Sequence, residues 1–196
     1  KLTTELFLNA YCAFATLLLI FALVLPGCGS PTAFDRSIIQ QSFGQTVILN
    51  NNVDILFVVD NSSSMAAKQA QLATQFAPFI DSMASSAFDF HIAVTTMDMT
   101  LSGAQGKFIG SPSVITRDTS NFKQAFINNV TIASNGTDLE RGLDAVDTAL
   151  SDDMLAGVNQ GFLRPGALLA LVFLADEDDG SPRSTQYYID NLDLRK

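Results

Sequence analysis

Apolar and polar residues come in blocks along this chain. Val53 to Val59 (VDILFVV) is an almost wholly apolar run rich in β-branched residues, the pattern of a strand covered on both faces. Beyond it Leu72, Phe76, Phe79, Ile80 and Met83 recur at spacings of three and four, which predicts an amphipathic helix. Pro78 falls inside that pattern and is expected to kink the helix or restart it. Phe90 to Thr96 (FHIAVTT) reads as a second strand. From Ser102 to Arg117, Gly103, Gly106 and Gly110 predict a turn leading into an edge strand, SVIT. Helical patterns return at Asn121 to Val130 and Asp138 to Leu150, and Ala167 to Ala175 (ALLALVFLA) is a further apolar strand, ending in Asp176. Strands alternating with helices predict an α/β domain with a mostly parallel central sheet flanked by helices.

The N-terminal block is different. Ala10 to Leu25 is apolar except for Thr16 and the hydroxyl of Tyr11. It is short for a membrane span, which needs about 20 residues, and suits the core of a signal peptide. It runs into LPGC, Leu25 to Cys28, which resembles the bacterial lipobox, whose cysteine is lipidated and becomes the mature N-terminus. Pro26 and the weak basic region around the lone Lys1 depart from that pattern. The reading is therefore a lipoprotein signal peptide over 1–27, lipidation at Cys28, a Ser/Pro/Gly-rich tether over 28–50 and a folded domain over 51–196. A cleaved secretory signal or an uncleaved anchor are the alternatives, and each exports the domain. Gly29, which carries no acidic retention-like signal, points to the outer membrane or cell surface.

Composition narrows the function classes. With 196 residues, 47% of them hydrophobic, the chain can bury one sizeable core. Its 11 basic and 20 acidic side chains, net charge −9, include no Lys/Arg stripe, which argues against nucleic acid as a partner. Cys12 and Cys28 both precede the domain, so it has no disulfide framework or zinc site to draw on. His91 is the sole histidine and lies in a strand, where a packed role is expected; Ser-His-Asp chemistry has little room.

The chemistry concentrates at strand ends. In open α/β sheets ligands bind at the carboxyl ends of the strands, and here two apolar strands end in aspartates, Asp60 and Asp176. Asp60 opens DNSSSM, a D-x-S-x-S pattern with Ser62 and Ser64. Helix capping by these residues is the bland alternative, but it leaves Asp176 unexplained. Asp98 ends the second strand on the same rim and is expected to be solvated. The DEDDG run from Asp176 to Gly180 lacks EF-hand spacing and reads as an acidic turn.

The strand, DNSSSM loop and helix resemble the von Willebrand factor type A (vWA) domain and its metal-ion-dependent adhesion site (MIDAS). The resemblance covers roughly residues 51 to 190 and implies a Rossmann-like vWA fold. It also implies a divalent cation, Mg²⁺ or else Mn²⁺ or Ca²⁺, held by Asp60, Ser62, Ser64, Thr137 (in SNGTDLERGLDAV) and Asp176 (in LVFLADEDD). Glu177 stands where that family usually has glycine, and the family fold continues with two more strands and their helices, so the domain is read as C-terminally incomplete. Two carboxylates and three hydroxyls would at most neutralise a divalent ion. The expected function is an exported, membrane-anchored adhesion or binding module that captures an acidic side chain of a protein ligand. The alternatives are a Mg²⁺-dependent hydrolase or phosphoryl-transfer enzyme, disfavoured for want of a basic phosphate clamp, and a structural envelope lipoprotein with a vestigial metal site.

Overall fold

A computed structural model describes residues 51–100 and 102–195; the signal peptide, Cys28 and the tether lie outside them. The described chain is an α/β fold built on a four-stranded sheet in the order β3-β2-β1-β4. Strand β1 (Asn52–Val59) is central and parallel to both β2 (Asp89–Thr96) and β4 (Leu168–Leu174). The short β3 (Val114–Thr116) closes the β2 side antiparallel, which makes the sheet mixed; it is the edge strand expected from SVIT.

The pleat of β1 sorts its side chains into two cores, because successive residues of a strand face opposite ways. Ile55, Phe57 and Val59 face helices α1 (Ala66–Ser85) and α2 (Phe122–Val130), meeting Ile80, Met83, Phe126 and Val130. Leu56 and Val58 face the other way, onto Ala145, Val146 and Ala149 of α3 (Gly142–Ala149), with Phe108 and Phe162. Short α4 (Asp152–Ala156) follows α3, and α5 (Thr185–Arg195) packs beside α3, burying Tyr188. Phe57 anchors the first layer, edge-on to Phe126 at 5.0 Å and Phe76 at 5.6 Å between ring centroids. Such pairs add about 0.5–1.5 kcal/mol each beyond area burial.

Three expectations change. Pro78 does not restart α1, which continues through it with the proline at an exposed position. The apolar run of β4 is not enclosed like that of β1: among the described residues it is an edge strand, with Leu168 and Phe173 exposed. The third helical pattern begins at Gly142, not at Asp138. His91 is packed as expected, its Nδ1 3.0 Å from the carbonyl of Phe162. Among the described residues, no helix is long and apolar enough to cross a membrane.

Candidate functional site

The register places the ends of β1, β2 and β4 level, Val59 being aligned with Thr96 on one side and Leu174 on the other. The ladder runs one step further, as Asp60 N–H donates to the Leu174 carbonyl (2.9 Å) and Met97 N–H to that of Val59 (3.1 Å). Asp60 thus leaves the sheet with its backbone fixed and its side chain 1% exposed.

The DNSSS loop wraps that carboxylate. Ser62 N–H donates to Asp60 Oδ1 (2.6 Å) and Ser62 Oγ to Oδ2 (3.0 Å). Ser62 Oγ lies 2.8 Å from Ser64 Oγ, which donates to Asp176 Oδ1 (3.1 Å). Asp60, Ser62, Ser64 and Asp176 therefore form one continuous hydrogen-bonded chain across two strand ends. The capping alternative fails here, since neither Ser62 nor Met65 makes a side-chain cap bond to the helical turns that follow. Lys68, in the first turn of α1, places its Nζ 2.5 Å from Asp176 Oδ2, and this ammonium, more than any other neighbour, lowers the Asp176 pKa.

Thr137 comes to the neighbourhood but not into that chain. Gly136 N–H donates to the Asn61 carbonyl (2.8 Å), docking the loop on DNSSS. A Cβ at position 136 would sit 2.5 Å from the Asn61 side-chain amide, so any larger residue there would have to displace that side chain. Thr137 Oγ1 accepts a hydrogen bond from the backbone N–H of Leu139 (3.2 Å), within its own loop.

Sequence reasoning passed over Glu140. The loop that carries it is laced to the other two strand ends: Arg141 N–H donates to Met97 O (3.2 Å) and Gly180 N–H to Glu140 O (2.6 Å). One carboxylate oxygen from each of Asp60, Glu140 and Asp176 lies within 4.8 Å of the others, an arrangement that could hold a cation. Glu140 is 3% exposed, and both its carboxylate oxygens are buried without a hydrogen-bond partner. Burial first, then Asp60, with Asp176 and Glu177 adding, pushes its pKa up to about 7. An acid in the loop between Thr137 and the glycine-started helix was the available signal. The expected helix start at Asp138 hid it by making Glu140 an ordinary first-turn residue.

Two other acids on the rim, Asp98 and Asp179, are structural. Asp98 is buried, not solvated as expected, because its carboxylate is turned inward to accept from Thr100 N–H (2.9 Å) and Thr100 Oγ1 (2.6 Å). Asp179 of the DEDDG run accepts from the N–H of Leu143 (3.1 Å) and from Ser181 Oγ (2.9 Å), while Asp144 N–H donates to Ser181 Oγ (3.0 Å). Beside Asp176, a shallow hollow of about 410 Å³ is lined by Lys68, Gln71, Leu72, Gln75 and Phe173.

Set against known proteins, the chain matches no protein-family model and no curated protein. Its functional reading rests on the residues and their geometry.

Proposed function

We propose that this chain is a metal-dependent binding module of the vWA type, taking a divalent cation at Asp60, Ser62, Ser64 and Asp176 and recognising a protein ligand there. One observation carries the reading: two aspartates and two serines, 116 positions apart at the extremes (176 − 60), are drawn into one hydrogen-bonded chain at adjoining strand ends. Carboxylates and hydroxyls are the oxygen donors that hard cations such as Mg²⁺, Mn²⁺ and Ca²⁺ prefer. When bound, such an ion would offer a ligand carboxylate a positive point of attachment. The half-polar hollow beside Asp176 gives a partner surface a place to rest. Thr137, which the family resemblance assigns to the metal, belongs to the site through its loop rather than through a hydrogen bond to the four. The phosphoryl-transfer alternative gains nothing here, because Lys68 is paired with Asp176 instead of facing Asp60 as a phosphate clamp.

The LPGC motif closing the apolar N-terminal run supports anchoring of the module at the outer membrane or cell surface through a lipid on Cys28. Calorimetry on the full chain should show Mg²⁺ or Mn²⁺ binding that Asp60→Ala abolishes, and Cys28→Ser should move the protein out of the membrane fraction. Equal metal binding by wild type and Asp60→Ala would refute the site, and unchanged fractionation would refute the anchor.

A further inference from the structure

We propose that Glu140 is a resident ligand of the metal, so that the site closes on its own carboxylate and an acidic ligand must displace it. The inference rests on the metal reading above and adds to it a residue and a consequence. Two independent observations converge on Glu140. One of its oxygens lies within 4.8 Å of oxygens of both Asp60 and Asp176, a spacing that a single ion can bridge. Separately, both of its oxygens are buried and unpartnered. Buried carboxylates without donors are costly and rare. Asp60, by contrast, has both oxygens engaged by Ser62. A bound cation would satisfy Glu140 without rearranging the loop, whose backbone is already pinned at Gly136, Glu140 and Arg141.

The charge count follows. Asp60 and Asp176 alone leave a divalent ion neutralised. With Glu140 the ligands carry three negative charges against two positive ones, and Lys68, paired with Asp176, offsets the surplus. No positive excess is then left to draw in a free carboxylate for as long as Glu140 stays bound. An acidic side chain of a partner therefore exchanges with Glu140 rather than entering a vacant position.

The test uses Mn²⁺ on the full chain, read by calorimetry and by water-proton relaxation, which counts exchangeable waters on the ion. Wild type should bind Mn²⁺ with few such waters. Glu140→Gln should bind at least about tenfold more weakly, since disturbing even an outer-shell partner costs 10–100-fold, and should gain an exchangeable water. Acetate, standing in for a partner carboxylate, should displace that water in Glu140→Gln and leave wild type unchanged. If Glu140→Gln does not fold, Glu140→Asp, which withdraws the carboxylate by one methylene, carries the same expectations. Equal affinity and relaxation in wild type and variant overturn the role of Glu140 while Asp60-dependent binding keeps the metal site. Acetate acting equally on wild type overturns the closed shell. Failure of wild type to bind Mn²⁺ at all overturns both.

Discussion

At Glu140 the fold works against itself. Its carboxyl is buried and faces Asp60 and Asp176, and its pKa rises from the ordinary 4.5 to about 7. The sign of the consequence follows from proton counting. The unfolded chain gives up this proton near its ordinary value while the folded chain keeps it, so folding binds a proton within that window and stability falls as pH rises through it. The loss is complete above the folded value and amounts to roughly 3 kcal/mol at most, at 1.36 kcal/mol per unit. The low pKa of Asp176, set by Lys68, acts only at more acidic pH, below its ordinary 3.8. With chelator present, Glu140→Gln should therefore raise the urea midpoint at pH 8 and leave it nearly unchanged at pH 5. An equal gain at both pH values would mean that packing, not charge, sets the cost. Little of this was legible from sequence, where Glu140 shows only as an acid between Thr137 and Gly142. Asp60, Ser62, Ser64 and Asp176 announced themselves by sitting at the ends of apolar runs, whereas Glu140 acquires its neighbours only because residues 138–141 stay outside the helix and its loop folds back across the strand ends.

Among the elements, those legible in the sequence were the ones that bury their own pattern. The β1 and β2 runs and the Ile80/Met83 stripe of α1 identify themselves because each must hide apolar area worth about 25 cal/mol per Å². What escaped are elements held by partners distant in sequence. Helix α3 has Arg141 at its start, with no side-chain cap of its own; Asp179 and Ser181, from the loop after β4, accept its free N–H groups instead. At the other end of the first layer, Arg117 donates to carbonyls of Met83, Ala84 and Ser86, the last turn of α1 and its cap, which its placement in a turn-and-edge-strand segment did not foretell. Loss of a cap typically costs about 1 kcal/mol. Asp179→Ala should therefore lower the unfolding free energy by about that much. Because Ser181 Oγ also donates to Asp179, the Asp179→Ala, Ser181→Ala pair should cost less than the sum of its parts, as expected for residues sharing a network. Full additivity in urea titrations would show that the two act separately.

For the molecule as a whole, the two ends of the sheet do different work. The carboxyl end collects acids around the candidate site, and the amino end is fastened by Arg164. Asp54, the one polar residue in the β1 run, is fully buried and accepts from Arg164 Nε and from Arg164 N–H, both at 2.8 Å. The same guanidinium donates to the carbonyls of Val53 (3.1 Å) and Asp89 (3.0 Å) and pairs with the Asp89 carboxylate, so one side chain joins the starts of β1 and β2 to the loop before β4. Removing one member of a buried pair typically costs about 3–5 kcal/mol, because the remaining charge keeps its desolvation and loses its counterion. Arg164→Met should accordingly destabilise the fold by about that amount, and Asp54→Leu combined with Arg164→Met should recover much of it, since replacing both charges by apolar groups is often neutral. Asp54 and Asp60 are six strand positions apart, about 20 Å at 3.3 Å per residue. At that distance the fastening should not reach the rim: wherever Arg164→Met remains folded, its Mn²⁺ affinity should equal that of wild type. Weakened Mn²⁺ binding in the folded variant would mean that the two ends are coupled through β1 and that the site depends on the tension of the whole sheet.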